Sequence, residues 1–307
     1  MNKKRVLITG GSGLLALNWA CAIRERWDVI LGTHLHSVKL RGTSQYSLEL
    51  DEISKLEFQV EQLSPDLIVH TAGMTSVDQC ENNPMLAKQV NAEIAKNVAI
   101  VSERHKIKFI HISTDHLFLG DKKFYTENSN AEPLNEYARS KLLAEKWVQE
   151  VNPGALILRT NFFGWGNSHR QSFSDWIIYS LRNNQTINMF DDVFITPIIA
   201  DSLAICAHKL INQGASGIYN LVGDERVSKF EFALKLAKIF RLPVKNIKRS
   251  YISNADLLAK RPSDMSLNNQ MTSKKLGMSL GRLEDYFLEL QKQEIDGRRT
   301  ELYNSMI

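Results

Sequence analysis

Residues 5–20, RVLITGGSGLLALNWA, carry the clearest fold signal of this chain. Arg5–Thr9 is a short run of β-branched and apolar residues, which is typical of a buried parallel strand. The run leads directly into a glycine turn at residues 10–13, and the apolar segment from Leu14 contains no proline and predicts a helix. A strand, a glycine turn and a helix start form a phosphate site. The glycines let backbone N–H groups approach a pyrophosphate at the positive end of the helix.

The glycine spacing departs in one respect from the dinucleotide-binding fingerprint Gly-x-Gly-x-x-Gly. The turn has Gly10-x-x-Gly13-x-x-Ala16, so its first glycine lies one position earlier than in the fingerprint. Ala16 stands where a third glycine or an alanine lets the helix pack closely against the strand. A plain structural turn is the alternative interpretation. The position directly after an N-terminal strand favours a dinucleotide site.

Length and composition restrict the possible classes of protein. A chain of 307 residues can form one large domain or two interleaved ones. Its net charge of +4 is too small and too scattered to favour nucleic acid. Cys21, Cys80 and Cys206 are odd in number and far apart, which predicts reduced thiols. The first strand begins almost at once and no apolar run is long enough to span a membrane. We therefore expect a soluble, cytoplasmic protein without a signal peptide.

Strands and helices alternate along the first half of the chain. Predicted strands cover residues 5–9, 28–32, 67–71, 109–113 and 155–159. Predicted helices begin at Leu14, near Asp51, at Pro84 and at Tyr137. The helix from Pro84 is expected to present one apolar face formed by Leu86, Val90, Ile94, Val98 and Val101. This alternation predicts an α/β fold with a Rossmann-type, doubly wound parallel sheet and right-handed crossovers.

The alternation changes after residue 166. Helices are expected at residues 173–181, 201–212 and 228–240, and residues 217–222 are expected to add a strand to the main sheet. Ser228 and Glu231 predict a capping box at the start of the last of these helices. We therefore expect a Rossmann domain at residues 1–165, with its sheet completed by about residues 196–222. A smaller, interleaved C-terminal substrate-binding lobe is expected at residues 166–307.

The loop after the second strand bears on the choice of cofactor. In NAD-selective folds an acidic residue at this strand end binds the ribose 2′-hydroxyl, and no acid follows Gly32. Hydrogen-bond donors and positive charge are offered instead by Thr33, His34, Ser37, Lys39 and Arg41. A solvated loop without function is the alternative. The pattern favours a 2′-phosphate, and hence NADP (NADPH) over NAD.

Tyr137 and Lys141 are four residues apart on one predicted helix, so their side chains share a face. A neighbouring ammonium stabilises a phenolate, and lowering the tyrosine pKa by ~3 units corresponds to ~4 kcal/mol. A surface pair without function is the alternative. The sequence Ser113-Thr114-Asp115 at a strand end favours chemistry, because Thr114 can hydrogen-bond a carbonyl oxygen that Tyr137 protonates while a hydride reaches the carbon.

Several motifs together resemble the extended short-chain dehydrogenase/reductases, and within them the dTDP-4-dehydrorhamnose reductase family. The matching segments are residues 65–73, 77–78, 81, 90–92, 113–118, 133–137, 141, 145–146, 158–160, 196–197, 261–262 and 267. The likeness runs from the first strand to about Leu276. It implies an NAD(P)H-dependent oxidoreductase that reduces a nucleotide-linked 4-keto-6-deoxy sugar, as in dTDP-rhamnose biosynthesis. The expected partner is a nucleotide-sugar substrate, and a homodimer is left open.

The resemblance also implies roles for individual residues. Tyr137 would be the proton donor, Lys141 and Thr114 its partners, and Asn91 a supporting residue behind the site. With the loop after the second strand included, the expected cofactor contacts are Gly10, Gly13, Leu14, Thr33, His34, Leu50, Ala72, Gly73, Thr75, Ser113, Tyr137, Lys141 and Thr160. The expected substrate contacts are Thr75, Val77, Asp115, Asn161 and Arg261. The acidic residues that would hold magnesium are not identifiable, so no metal is expected.

Three alternatives are compatible with parts of this pattern. Dehydratases of the superfamily need an Asp-Glu pair directly after the threonine. Here Asp115 is followed by His116, which disfavours 4,6-dehydration. An epimerase remains open, because it uses the same tyrosine and cofactor. The regulatory β subunit of methionine adenosyltransferase is similar over the same length and could bind the cofactor without catalysis. The intact set of Tyr137, Lys141 and Thr114 favours an enzyme. The loop at residues 167–173 matches the reductases only loosely, which leaves the sugar and its nucleotide open.

Overall fold

A parallel sheet of seven strands forms the centre of the computed structural model, which describes residues 3–307. Within this range the strands, in chain order, are β1 (Arg5–Thr9), β2 (Asp28–Thr33), β3 (Thr43–Ser47), β4 (Leu67–His70), β5 (Lys108–Ile112), β6 (Leu156–Arg159), β7 (Phe162–Phe163), β8 (Ile187–Phe190), β9 (Phe194–Ile195), β10 (Ile198–Ile199), β11 (Gly217–Asn220), β12 (Val227–Ser228) and β13 (Ile247–Ser250). The sheet has the order β11-β6-β5-β4-β1-β2-β3. The order reverses between β1 and β4, so the ligand crevice is expected at the carboxyl ends of these strands.

Helices cover both faces of this sheet. In the described range they are α1 (Leu14–Ile23), α2 (Ile53–Leu63), α3 (Val77–Asn82), α4 (Pro84–Lys88), α5 (Ile94–Arg104), α6 (Glu136–Val151), α7 (Phe173–Arg182), α8 (Ala200–Asn212), α9 (Lys229–Ile239), α10 (Gln270–Leu276), α11 (Leu283–Ile295) and α12 (Arg298–Tyr303). Along β1, Val6 and Ile8 belong to one hydrophobic core and Leu7 belongs to the other. Burial on both faces explains why the strands are almost continuously apolar. The predicted Rossmann-type α/β sheet is confirmed, and β11 joins it as expected.

Strand β3 lies outside the predicted strands. Its sequence TSQYS is polar, and the strand pairs with β2 alone at one edge of the sheet, from Val29 opposite Thr43 to Thr33 opposite Ser47. An edge strand that is largely exposed to water needs few apolar side chains, and polar residues there discourage pairing with other chains. Hydrophobic patterning therefore gives no signal for β3.

The single helix predicted from Pro84 is interrupted. A π-helical turn at Gln89–Glu93 separates α4 from α5. The wider turn changes the phase of the side chains, so that Leu86 is exposed instead of sharing the apolar face of Val98 and Val101. The same turn brings Asn91 into a buried position. The prediction of one continuous apolar face is therefore wrong at Leu86.

The second half of the chain adds three small strand pairs to the sheet domain. These are β7 with β10, β8 with β13, and β9 with β12. The predicted capping box is present at α9, where Ser228 Oγ accepts from the backbone of Glu231 and the Glu231 carboxylate accepts from the backbone of Ser228. Helices α11 and α12 were not predicted, because the tail of the chain has a mixed pattern.

Some segments beyond residue 165 return to the sheet domain. Arg24 at the end of α1 donates two hydrogen bonds to the carboxylate of Glu301 in α12. The backbone N–H of Lys39 donates to the carbonyl of Ser305 at 2.8 Å. Helix α8 packs against α1, and β11 belongs to the main sheet. The division into residues 1–165 and 166–307 stays a prediction, and the two parts are interleaved at these contacts.

Two further findings concern the whole described range, residues 3–307. None of its helices has the length and apolar character that crossing a membrane requires. Cys21, Cys80 and Cys206 are buried thiols that form no disulfide. Burial raises the pKa of Cys21 and of Cys80 to about 11, so neither is a thiolate at neutral pH.

Candidate active site

The turn between β1 and α1 is shaped by glycine. Gly10 adopts a left-handed backbone conformation with φ of 67°, which favours glycine. A Cβ atom at Gly10 would lie 2.7 Å from the Cα atom of Ala72, so a side chain would collide with the residues that follow β4. Gly13 is the N-cap of α1 and provides no side-chain cap. The first backbone N–H groups of α1 therefore remain for an anion, and the turn suits a phosphate.

A cleft of about 310 Å³ opens beside this turn. Of the predicted cofactor contacts, it is lined by Gly13, Leu14, Ala72, Gly73, Thr75, Ser113, Tyr137 and Lys141. The other lining residues, which the sequence analysis did not place at the cofactor, are Leu15, Thr71, Asn91, Ile112, Phe162, Arg170, Gln171, Ser172 and Phe173. Four of the latter belong to the loop at residues 167–173, whose loose match to the reductases gave no basis for assigning them individually.

Five predicted cofactor contacts do not line the cleft. Gly10 lies in the turn against Ala72, and Thr33 is buried at the end of β2. His34 is exposed in the loop that follows, and Leu50 is half-buried. Thr160 is buried, and its hydroxyl has no hydrogen-bond partner in the described part of the chain. The assignment of these five residues to the cofactor stays a prediction.

Tyr137 stands in the first turn of α6 and lines the cleft. Its hydroxyl interacts with that of Thr114, which follows β5. Burial raises the pKa of Tyr137 to about 12, and the hydrogen bond with Thr114 opposes this rise. The sequence predicts a pKa lowered by Lys141, and this geometry does not produce that shift. The phenol is instead held in its protonated form.

Lys141 explains this difference. Its side chain is buried, and its Nζ donates to the carbonyl of Ile112 at 2.7 Å and to Nε2 of His111 at 3.5 Å. The ammonium is thus hydrogen-bonded to β5 and not to Tyr137. Burial lowers the pKa of Lys141 to about 8, and the carboxylate of Glu145 opposes this lowering. The four-residue spacing does place both side chains at one cleft, as predicted.

Asn91 lines the cleft and also connects two of its walls. Its Oδ1 accepts from the backbone N–H of Met74 at 2.7 Å, and its Nδ2 donates to the carbonyl of Met74 at 3.0 Å. Nδ2 also donates to the hydroxyl of Ser140 in α6 at 2.9 Å. The π-helical turn thereby connects the loop after β4 to the helix that carries Tyr137. Short wide turns of this kind are frequent at functional sites.

A buried ion pair lies under the end of β5. The Glu145 carboxylate accepts from Ser113 Oγ at 2.5 Å and from Arg159 Nη2 at 2.7 Å. Arg159 Nε adds bonds of 3.0 and 3.2 Å to the two carboxylate oxygens. Both charged side chains are almost completely inaccessible to water. The pair fixes Ser113, which lines the cleft, relative to α6.

A second cavity of about 350 Å³ adjoins the cleft. It contains Thr75, Val77 and Arg261 of the predicted substrate contacts, together with Ser76, His116, Arg170, Phe190, Val193, Lys229, Ile252 and Met265. Arg261 Nη2 donates to Asp78 Oδ2 at 2.8 Å, and its buried Nε has no hydrogen-bond partner in the described residues. Arg170 Nη2 donates to Thr75 Oγ1 at 2.5 Å. Thr75 and Arg170 line both the cleft and this cavity.

Lys229 was missed by the sequence analysis. It is the first residue of α9, directly after the cap Ser228, where a cation opposes the helix dipole. Burial, with the charge of Arg261 next, lowers the pKa of its ammonium, and the Asp115 carboxylate acts in the other direction. A lysine placed against the dipole at a capped helix start is the signal that could have indicated this residue.

A third cavity of about 210 Å³ lies beside the second, and His116 and Lys229 line both. Asn161 of the predicted substrate contacts lines it, whereas Asp115 lines none of the three cavities. Asp115 Oδ2 accepts from Asn161 Nδ2 at 2.7 Å, so its contact to the cavity is indirect. Burial raises the pKa of Asp115 to about 7. His116 packs edge-on against Tyr137, with ring centres 5.6 Å apart.

Two features together define the class of protein. A glycine turn lies at the reversal point of a parallel sheet, and a tyrosine and a lysine lie next to it, one helical turn apart. The chain is an NAD(P)-dependent oxidoreductase of the short-chain dehydrogenase/reductase type. Among residues 3–307, no group of three or more His, Cys, Asp or Glu side chains is arranged to hold a metal ion.

Residues 4–292 match the family described as the RmlD substrate binding domain, and the chain belongs to this family. A probable low-salt glycan biosynthesis reductase of Haloferax volcanii is 30% identical over 288 residues, covering 92% of this chain and 96% of that protein. The crystal structure of dTDP-4-dehydrorhamnose reductase from Bacillus anthracis in complex with NADP has a TM-score of 0.84 at 27% identity, covering 95% of this chain and 100% of that one.

The chain is also similar to a protein that is named as a subunit and not as a reductase. The methionine adenosyltransferase 2 subunit beta of Xenopus laevis is 27% identical over 253 residues, which cover 80% of this chain and 75% of that protein. Both resemblances expected from the sequence, to the reductases and to this subunit, are confirmed.

Proposed function

We propose that this chain is an NADPH-dependent reductase of a nucleotide-linked 4-keto-6-deoxy sugar, with Tyr137 as the proton donor. The observation that carries this proposal is the junction of two cavities. The cleft that begins at the glycine turn and the cationic second cavity share Thr75 and Arg170, and Tyr137 lies in the cleft against His116 of the second cavity. A cofactor and a sugar nucleotide could thus meet at the tyrosine.

The cleft fits a dinucleotide. A Cβ atom at Gly13 would approach the carbonyl of Gly10 to 3.0 Å, so the tightness of the turn favours glycine here. Gly13 and Leu14 would hold the pyrophosphate, and Ser113 and Lys141, which line the same cleft, would contact a ribose. When bound, NADPH supplies the hydride. The exposed loop beginning at His34 contains no acid, which suits a 2′-phosphate, and the Bacillus anthracis reductase was crystallised with NADP.

The chain's own groups supply the proton. Because burial raises the pKa of Tyr137 to about 12, its phenol is protonated at neutral pH and can donate to a developing alkoxide. Thr114, which acts on the Tyr137 hydroxyl, would hydrogen-bond the same oxygen. Lys141 brings an ammonium to the same cleft, where it would bind a ribose hydroxyl of the cofactor and not the phenol.

The second cavity suits the nucleotide diphosphate of a substrate. Arg170, Lys229 and Arg261 bring three cationic side chains to its wall, and a guanidinium can bind phosphate oxygens in a bidentate manner. Asp78 holds one end of the Arg261 guanidinium, which fixes the direction of the other end. Phe190 offers an apolar surface in the same cavity.

The proposal is tested by following NADPH absorbance with 4-keto-6-deoxy sugars linked to dTDP, UDP or GDP. Tyr137→Phe should lower turnover by ~10²–10⁴-fold while the NADPH dissociation constant barely changes. Tyr179→Phe, on the exposed face of α7, is the matched control and should retain wild-type turnover. Full activity of Tyr137→Phe would refute the assigned proton donor. Titration of both cofactors should show tighter binding of NADPH than of NADH.

A regulatory subunit is the second candidate, because the Xenopus laevis relative is a subunit of methionine adenosyltransferase. It would bind NADPH and a methionine adenosyltransferase, and would oxidise no NADPH with any sugar nucleotide. An epimerase would convert a sugar nucleotide without net consumption of NADPH, so product analysis in the same assay separates the three outcomes.

A further inference from the structure

Two histidines lie side by side beneath Lys141. His70 ends β4, and His111 occupies the register position opposite it in β5. Their rings stack with centres 5.5 Å apart and an angle of 19° between the planes. The exposed fraction is 1% for His70 and 0% for His111. Neither residue lines any of the cavities described above.

Keeping this pair buried has a cost. His70 Nδ1 shares a hydrogen bond of 2.8 Å with Thr9 Oγ1, but His70 Nε2 and His111 Nδ1 have no partner among the described residues. Each unpartnered buried polar atom lowers the stability of the fold, and two apolar side chains would pack there without this cost. A local rule broken in this way is expected at functional sites.

The hydrogen bonds of Lys141 indicate what His111 does. A lysine ammonium has three N–H donors. One donates to the Ile112 carbonyl at 2.7 Å, and a second is directed to His111 Nε2 at 3.5 Å. Both acceptors belong to β5, on the inner side of the ammonium. The third N–H is therefore left for the cleft that Lys141 lines.

We propose that His111 is a positioning residue whose neutral Nε2 accepts from the Lys141 ammonium, keeps it charged and turns its third N–H into the cleft. The use of that N–H toward a ribose rests on the proposed function. The His111–Lys141 contact itself does not.

The charges around Lys141 agree with this role. His111 from β5 and His70 from β4 stay neutral, because burial and then the Lys141 charge hold the pKa of each far below its usual range. On α6, Tyr137 is protonated, and Glu145 lies one helical turn after Lys141. The Glu145 carboxylate is occupied by Ser113 and Arg159, so it does not compete for the ammonium protons. His111 is thus the one side chain of the described residues that accepts from Lys141.

The test follows the titration of Lys141 by NMR of the lysine ¹³Cε resonances in the full chain. Lys141→Met identifies the resonance, which should titrate near pH 8 in the wild type. His111→Leu removes the acceptor and should lower the titration midpoint by about one pH unit. His111→Gln should restore it, because its amide oxygen takes the place of Nε2. His111→Asn, whose oxygen takes the place of Nδ1, should behave like the leucine variant.

His70→Leu is the matched control. It removes an equally buried histidine that does not contact Lys141, so the midpoint should stay near the wild-type value. Equal midpoints for wild type and His111→Asn, or an equal shift in His70→Leu, would overturn the proposal. The asparagine and glutamine variants decide the question should the leucine variant not fold. Failure of the wild type to bind NADPH would refute the proposed function but would leave this titration result unaffected.

Discussion

Arg159→Met is expected to destabilise the folded chain by about 3–5 kcal/mol, the usual cost of leaving one member of a buried ion pair without its partner. The side-chain exposure is 4% for Arg159 and 2% for Glu145. Arg159 supplies three of the four hydrogen bonds to the Glu145 carboxylate, and Ser113 supplies the fourth. After the substitution a buried carboxylate would keep one serine hydroxyl. The expected loss is a large fraction of the 5–15 kcal/mol typical of folded domains.

Urea unfolding monitored by tryptophan fluorescence measures this loss of stability. Two further variants test whether the loss comes from the unpaired buried charge. Glu145→Leu combined with Arg159→Met removes both charges and should recover most of the stability. Arg182→Met is the matched control. Arg182 binds Glu294 with two bonds of 2.6 and 2.7 Å, but this pair is partly exposed, so its loss should cost at most about 1 kcal/mol.

The reasoning would be refuted by equal losses in Arg159→Met and Arg182→Met, since burial would then not decide the cost. It would also fail if the double variant were no more stable than Arg159→Met. In that case the arginine would act through packing, for example through its position over the Phe118 ring at 5.5 Å, and not through the charge of Glu145.

The remaining predictions concern pH and the two cavities. The pKa of Lys141 is about 8 in the folded chain against an ordinary 10.5, so the unfolded chain binds more protons between these two pH values. The stability of the wild type relative to Lys141→Met should therefore rise by about 3 kcal/mol from pH 8 to 10.5. A stability difference that does not change with pH in urea unfolding would contradict this. Gly10→Ala should cost about 2–4 kcal/mol and abolish NADPH binding by fluorescence titration, because of its left-handed φ and the nearby Ala72. Arg261→Ala should raise the Michaelis constant for the sugar nucleotide roughly tenfold, and an unchanged constant would remove it from the site. Lys229→Met should raise the melting temperature slightly while weakening substrate binding, and a lower melting temperature would contradict the dipole argument.

Most of the sheet could be predicted because its strands are buried on both faces. A run such as residues 5–9 is apolar throughout, and each such run is followed by a helix in a regular order. Strand β3 could not be found, because an edge strand exposed to water has no apolar requirement. The π-helical turn at Gln89–Glu93 could not be found either. It depends on the hydrogen bonds of Asn91 to Met74 and Ser140, which are distant in sequence or specific to the folded loop.

The site was predictable where spacing within one element fixes the geometry, and less so elsewhere. Tyr137 and Lys141 share a cleft because they are one turn apart on α6. The pKa of Tyr137 depends on where the Lys141 ammonium points, and that direction is set by His111 and Ile112 on another strand. Spacing along a helix gives no information on such partners, so the predicted direction of the pKa shift was wrong.

Three residues that escaped prediction, Lys229, His70 and His111, share a physical property with the predicted Lys141: each is unfavourable for the isolated fold. Lys141 is a buried ammonium, Lys229 is a cation at the positive end of a helix, and His70 and His111 leave ring nitrogens without partners. All of them lie at or directly beneath the two adjoining cavities. A fold selected for stability alone would replace these side chains by apolar ones at little cost in packing. Their concentration around one junction agrees with the proposed site for a dinucleotide and a sugar nucleotide. The same concentration identifies the residues whose substitution should separate stability from binding.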